Sequence, residues 1–422
     1  MADFDLVIRG GTVVHPEATH HDTDVGIRDG KVVALGRHLG PGRDEVDARD
    51  RLVMPGAVDA HCHLAQVSST GLLTADDFLS GSRSAALGGT TTIVPFAAQH
   101  RGQSLRAVVA AYHEDARRSL VDYAFHMIVS DPSAAVLGDE LPALVAEGHV
   151  SFKVFLTYEA LRLDDRQVLQ VLDVARRAGA LTMFHAEHHE AIAYLTQRLL
   201  AEGKVAPKWH PYARPESVER EATARAIMLA EVVGARIMIV HVSGREALDE
   251  VRRAKARGTQ VFAETCPQYL SFTREDLDQP GFEGAKLMFS PPARDVDSQE
   301  ALWGGLRDGT IDIFSSDHAP YRYDDVKGKK AHGEDAPFTK IPNGVPAIGV
   351  RPAVLFSEGV HGGRITMERF VQLTASEPAR IYGLDARKGR LAPGMDADVA
   401  IWDPAREVTI RSSMLGDNMD YS

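Results

Sequence analysis

Eight short apolar runs, separated by longer stretches with helical spacing, constrain the fold of this 422-residue chain more than any other feature. Near-continuous apolar runs rich in Val and Ile are typical of parallel strands that are buried on both faces. Parallel neighbours need a crossover, usually a helix, and eight such units close into a barrel. We therefore predict an α/β fold with a (β/α)8 barrel over 55–384, whose strands lie at 56–61, 90–96, 121–129, 150–156, 181–185, 236–241, 260–265 and 311–316.

The stretch 165–178 illustrates the predicted helices. Its apolar residues recur at intervals of three and four, which places them on one face of a helix. Asp164 or Asp165 is suited to cap the N-terminus, and Gly179 is suited to end the helix because glycine adopts positive φ at little cost.

Both ends of the chain are rich in short strands instead. The Asp29-Gly30 pair between two β-rich arms is a strong hairpin signal in the first segment. Strand character returns after about residue 385, in GRLAPGMDADVAIWDP. We predict that residues 1–54 and 385–422 pair into one small β-sandwich domain beside the barrel.

Composition excludes some classes of partner. The formal net charge of -12 argues against a nucleic acid, because binding to phosphates needs clustered Lys and Arg, and a small molecule fits better. Cys62 and Cys266 are too few for a disulfide framework, and no apolar run approaches the length of a membrane span. These features predict a protein of the reducing cytoplasm with no membrane partner.

Polar residues close several of the predicted strands, at the end where barrel enzymes build their active sites. His61 and His63 are two apart, and period-two alternation points both to one side of the first strand. A single histidine at a strand end is more often a hydrogen-bonded core residue than a metal ligand. Four histidines and an aspartate at equivalent strand ends predict a metal site, whose candidates are His61, His63, His185, His241 and Asp317, with Lys153 in the fourth strand facing the same barrel mouth.

The predicted ligands also indicate the metal. Imidazole and carboxylate suit zinc, with manganese or iron as alternatives, and four histidines with an aspartate exceed what one catalytic ion uses, so two ions are predicted. Two adjacent cations need an anionic bridge, which a neutral Lys153 could supply by reacting with carbon dioxide to form a carbamate. From the residue alone, the favoured interpretation is a lysine that extends its ammonium to solvent or pairs with a carboxylate. Asp59 shares the face of His61 and either orients an imidazole or is a buried polar group.

Motifs along the whole chain together resemble those of the dihydropyrimidinase and hydantoinase branch of the cyclic amidohydrolases: PGAVDAHCHL, SFKVFLTYE, FHAE, IVHVSG, AETCPQYL, FSSDHAPY, IPNGVP and DADVAIWDP. The resemblance implies a distorted barrel beside a β-sandwich and two zinc ions per subunit. It implies six metal ligands, which are His61, His63, Lys153, His185, His241 and Asp317. It also implies N6-carboxylation of Lys153 from carbon dioxide or bicarbonate. A homotetramer is implied as well, with a dimer as the alternative because the chain ends at MDYS, where relatives usually continue.

The resemblance further implies a mechanism, in which a hydroxide that bridges the metals opens a cyclic ureide to an N-carbamoyl amino acid. Asp317 is then both ligand and catalytic base, and Tyr158 donates a hydrogen bond to the developing oxyanion. Backbone groups at Ser290 and Asn343 hold the ureide edge of the substrate. Without the resemblance, Tyr158 would be an ordinary loop tyrosine, and SPP and PNG would be ordinary turns.

Loops that depart from the family pattern leave the natural substrate open. In TYEALRLDD, Glu159 and Arg162 are expected to face the substrate's exocyclic group. The alternative enzyme is an allantoinase, a dihydroorotase or another cyclic-imide hydrolase, although LAQVSST lacks the arginine and asparagine that usually follow H-x-H in relatives that use dihydroorotate. The non-enzymatic alternative is a dihydropyrimidinase-like scaffold protein, against which the retention of all six ligand positions argues.

Overall fold

The computed structural model describes residues 2–68 and 71–422. The strands in these ranges are β1 (Phe4–Val14), β2 (Thr19–Arg28), β3 (Lys31–Gly36), β4 (Gly42–Asp47), β5 (Leu52–Pro55), β6 (Ala57–Cys62), β7 (Thr90–Ala98), β8 (Asp122–Tyr123), β9 (His126–Ile128), β10 (Ser151–Phe155), β11 (Leu181–His185), β12 (Ile237–Ile239), β13 (Val261–Thr265), β14 (Ile313–Phe314) and β15 (Val399–Trp402). The α-helices are α1 (Phe78–Leu87), α2 (Leu105–Ala116), α3 (Leu141–Ala146), α4 (Asp165–Ala178), α5 (His189–Ala201), α6 (His210–Ala213), α7 (Glu216–Val233), α8 (Arg245–Ala256), α9 (Pro267–Ser271), α10 (Val296–Asp308), α11 (Arg351–Val354), α12 (Met367–Val371), α13 (Glu377–Ile381) and α14 (Ser412–Leu415).

Eight parallel strands form the barrel that the apolar runs predict. Their order is β6, β7, β9, β10, β11, β12, β13 and β14, and the predicted strand at 121–129 is divided into β9 and the short β8, which both pair with β7. The chain after β14 returns to β6, because Cys62 bridges to His318 and the Ser316 N–H donates to the Asp59 carboxylate at 3.0 Å. The predicted fold class is confirmed.

The two ends of the chain meet in one six-stranded sheet beside the barrel. Its order is β15, β5, β1, β2 and β3, and β4 pairs with the first half of β1. The Asp29-Gly30 turn joins β2 to β3 with φ values of 51° and 69°, which confirms the predicted hairpin. The limits of this domain at residues 54 and 385 stay a prediction.

Helix α4 shows why the stretches between barrel strands become helices. Asp164 caps its N-terminus by accepting from the Gln167 N–H, and Gly179 ends it with a φ of 74°. This confirms the helix predicted at 165–178, which buries the apolar face formed by Val168, Val171, Leu172, Val174 and Ala175. None of the helices in the described ranges is long and apolar enough to cross a membrane.

Candidate metal centre

The six side chains predicted as ligands converge at the carboxyl rim of the barrel. Three lie on β6, β10 and β11, and the other three follow β6, β12 and β14 within three residues, so all six belong to the side of the barrel where the parallel strands end. His61, Lys153, His185 and His241 are buried, and the side chains of His63 and Asp317 stay 13% and 12% exposed. His241 and Asp317 hold positive φ values of 41° and 47°, a strained conformation that is concentrated at functional sites.

Four of these residues form one contact group. The Nε2 atom of His61 lies 2.8 Å from Lys153 Nζ and 3.1 Å from Asp317 Oδ1, and His63 Nε2 lies 3.3 Å from the same aspartate oxygen. Two imidazoles, one amine and one carboxylate therefore direct their polar atoms to a single point. We call these four residues the first ligand group.

His185 and His241 form a second group. His185 Nδ1 lies 2.9 Å from His241 Nε2, and His185 donates its other ring N–H to Glu187 at 2.8 Å. Its Nδ1 atom therefore carries a free lone pair that points at the neighbouring imidazole. His241 Nδ1 is buried without a hydrogen-bond partner in the described chain.

The donor set fits a divalent cation. Ligand atoms of His61, His241 and Asp317 all lie within 4.8 Å of one another. Burial lowers the pKa of His63 to about 4 and holds the pKa values of His185 and His241 below the ordinary value, so these imidazoles are neutral. Neutral imidazole is the form that binds metal, which makes this rim suited to zinc and related ions.

Lys153 is an unusual lysine. Its side chain is 1% exposed, and its Nζ atom lies over the rings of Phe96 and Phe155 at 4.2 and 5.1 Å. Burial lowers its pKa to about 8, although the carboxylates of Asp317 and Glu264 oppose this shift. A substantial fraction of the amine is therefore neutral near pH 8, which is the form that reacts with carbon dioxide.

Two side chains that the sequence analysis did not single out fix the orientation of the imidazole rings. Glu264, at the end of β13, accepts from His61 Nδ1 at 2.5 Å, and Gln66 Oε1 accepts from His63 Nδ1 at 2.7 Å. Asp59 accepts from the Ser316 backbone N–H and does not bind an imidazole nitrogen of the described residues. Of its two predicted roles, the structure therefore shows the buried polar group and not the group that orients a ligand. The only sequence signal for Glu264 was its place at a strand end, in AETCPQYL.

Tyr158 lies beside the second group, just after β10, with a φ of 69°. Its ring is 5.1 Å from that of His185, and the Arg214 guanidinium lies 5.3 Å from the ring centre. Burial raises the pKa of Tyr158 despite that guanidinium, so the phenol is protonated and able to donate. The nearby Ser290 side chain opposes this rise in the pKa of Tyr158, so two of the predicted substrate contacts lie close together.

Asn343 and the loop after β10 complete the predicted set. Asn343 lies in the segment whose next residue, Gly344, donates its N–H to Met288 O at 2.8 Å, so this segment runs alongside the one that carries Ser290. Glu159 is exposed and pairs with Arg162 at 2.9 Å. That these two charged residues face a substrate group stays a prediction.

Comparisons with known proteins agree with this arrangement. The model of the amidohydrolase family matches residues 52–420. A D-hydantoinase from Ralstonia pickettii is 44% identical to the chain over 99% of its length and 90% of the relative's length. The fold and its metal-competent rim therefore define an amidohydrolase.

Solved structures narrow the class. The structure of a D-hydantoinase has a TM-score of 0.95 at 44% identity and covers 99% of this chain and 90% of that one. The dihydropyrimidinase from Brevibacillus agri has a TM-score of 0.95 at 40% identity, with 98% and 89% covered. The chain belongs to the hydantoinase branch of the amidohydrolase family and is a cyclic amidohydrolase.

Proposed function

We propose that this cyclic amidohydrolase is a binuclear zinc enzyme that opens 5-substituted hydantoins or dihydropyrimidines to N-carbamoyl amino acids. The observation that carries the proposal is the convergence of four imidazoles, one lysine and one carboxylate at one rim. The names of the relatives, D-hydantoinase and dihydropyrimidinase, support the substrate class and favour the D-isomer of a hydantoin. Manganese and iron are the alternative metals.

Each ligand group would hold one ion, with Lys153 shared between them. Carboxylation of its neutral Nζ by carbon dioxide releases one proton and leaves a carbamate, whose negative charge suits a position between two cations. The lowered pKa of Lys153 and its burial support this assignment. Bound zinc would lower the pKa of a water molecule towards neutrality and polarise the substrate carbonyl.

The protein's own residues would carry the remaining steps. We assign to Asp317 the transfer of the proton from the attacking water to the ring nitrogen that leaves when the C–N bond breaks. Tyr158 donates to the carbonyl oxygen as negative charge develops on it, for which a protonated phenol is required. Backbone groups at Ser290 and Asn343 hold the ureide edge and so orient the ring.

A substrate panel tests the proposal. Enzyme loaded with zinc and bicarbonate is assayed on dihydrouracil, both isomers of 5-phenylhydantoin, allantoin and dihydroorotate, with a chelated sample as control. We expect ring opening of dihydrouracil or phenylhydantoin, lost on chelation and restored by zinc. Turnover of dihydroorotate alone would favour the alternative enzyme, and failure of fully metallated protein on every compound would reject the cyclic-ureide assignment.

A further inference from the structure

Lys329 is a buried lysine outside the metal centre. It lies in the loop between β14 and α11, and its side chain is 1% exposed. Its Nζ atom donates to three backbone carbonyls, those of Met288 at 3.1 Å, Pro342 at 2.7 Å and Gly344 at 2.8 Å. An ammonium has three N–H donors, so these three acceptors use all of them.

The three carbonyls belong to residues next to, or two positions from, the two residues proposed to hold the ureide. Met288 precedes Ser290 by two residues, and Pro342 and Gly344 are the immediate neighbours of Asn343. One side chain therefore ties together two segments that are far apart in the sequence. The hydrogen bond from Gly344 N–H to Met288 O, at 2.8 Å, closes the same connection.

Other contacts also hold these two segments. His210 Nε2 donates to the carbonyl of Phe289 at 2.9 Å and lies 3.2 Å from Ser290 Oγ. Gly344 has a φ of 144°, and a Cβ atom there would lie 2.2 Å from Ala319 O, so its backbone lies directly against the chain that follows Asp317. Lys329 therefore joins two segments, of which one is also held by His210 and the other lies against the chain that follows Asp317.

The cation at this position is costly. No carboxylate of the described residues forms an ion pair with Lys329, and burial lowers its pKa. The three carbonyl acceptors oppose this shift, because hydrogen bonds to the charged form favour the ammonium. A buried charge without a counter-ion destabilises a fold, and a buried apolar side chain of similar size would avoid that cost. What the ammonium gives in return is three simultaneous donors, which no neutral side chain of this length supplies.

We propose that Lys329 is a positioning residue, which holds the backbone at Ser290 and Asn343 in one arrangement and thereby sets the affinity for the ureide edge of the substrate. This inference rests on the proposed function. Because the ureide edge is held in the same way before and during ring opening, loss of the arrangement raises KM and leaves kcat nearly unchanged.

Two substitutions and one control test this role in the metal-loaded enzyme. Lys329→Met removes all three donors, and we expect KM for the best substrate of the panel to rise about ten- to a hundredfold, the loss expected for one hydrogen bond that involves a charged group. Lys329→Gln keeps two N–H donors and should give a smaller rise. Lys330→Met is the control, because Lys330 pairs at the surface with Asp324 and Glu334.

A second readout needs no substrate. We expect faster amide hydrogen exchange in peptides that cover 288–290 and 342–344 in Lys329→Met, with unchanged zinc content and no change in Lys330→Met. If wild type opens no cyclic ureide, the proposed function fails and exchange alone decides whether Lys329 holds the segments. Two results in an active wild-type background would overturn only this inference. In one, both Lys329 variants keep the wild-type KM and the wild-type exchange rates. In the other, both variants lower kcat without a change in KM. Should the methionine variant not fold, KM and exchange of the glutamine variant decide between these outcomes.

Discussion

Glu264 provides a sharp test of the metal centre, because a single oxygen of its carboxylate contacts two of the proposed ligands. Its Oε1 atom accepts from His61 Nδ1 at 2.5 Å and from the His241 backbone N–H at 3.1 Å. A carboxylate only accepts, so the Nδ1 atom of His61 carries a proton, and its Nε2 atom faces Lys153 and Asp317. We predict that substitution of Glu264 weakens zinc binding.

The size of the effect follows from the two carboxylate oxygens. Glu264 Oε2 is buried without a partner in the part of the chain that the structure describes, so Glu264→Gln can place its NH2 group there and keep an oxygen at Oε1. Glu264→Ala removes the acceptor for both donors. Losing such a partner of a ligand typically costs about 10- to 100-fold in metal affinity, or about 1.4 to 2.8 kcal/mol. We expect the glutamine variant near the lower limit and the alanine variant near the upper one.

The assay is a zinc competition titration against a chromophoric chelator, on protein stripped of metal and at one fixed pH. Glu219→Gln is the matched control, because Glu219 is also a buried carboxylate but its hydrogen bonds go to Ser243 and Arg294. The control should keep wild-type zinc affinity even if its Tm falls. Equal affinities for wild type and both folded Glu264 variants would refute the argument that this carboxylate orients the ligands.

Three further predictions concern the bridge, the oxyanion donor and acid stability. Lys153→Ala should lose binuclear zinc binding and activity, with partial rescue by short carboxylic acids that occupy the bridge; an unchanged zinc content per subunit contradicts that role. Tyr158→Phe should lower kcat about ten- to a thousandfold, the range for one oxyanion donor, and an effect on KM alone argues against it. Asp396→Asn should lower Tm at neutral pH, because Lys31 and Lys388 hold the pKa of Asp396 below its ordinary value of 3.8 although burial opposes this. A carboxyl group whose pKa is lower in the folded state stabilises the fold at pH values above its unfolded pKa. The difference in Tm between Asp396→Asn and wild type should therefore shrink as the pH falls below 3.8. A difference in Tm that persists unchanged in acid excludes these ion pairs as its cause.

The sequence alone predicted the barrel and the polar side chains that lie at the carboxyl ends of its strands. Apolar periodicity separates buried strands from helices locally, and the carboxyl ends of all strands of a (β/α)8 barrel face one side. A histidine that ends one run and an aspartate that follows another are therefore neighbours whatever their separation in the chain. This is why the strand pattern suffices to assign His61, His185 and Asp317 to one site.

Contacts between segments were decided only by the tertiary structure. Asp59 shares a strand face with His61, yet the side chain that accepts the His61 Nδ1 proton is Glu264, 203 residues away. Nothing in VKGKK distinguishes Lys329 from its neighbours, and only the fold buries its ammonium against three carbonyls. A local pattern gives the face on which a side chain lies, but the atom opposite it depends on strand register and loop paths, which the packing of the whole chain fixes.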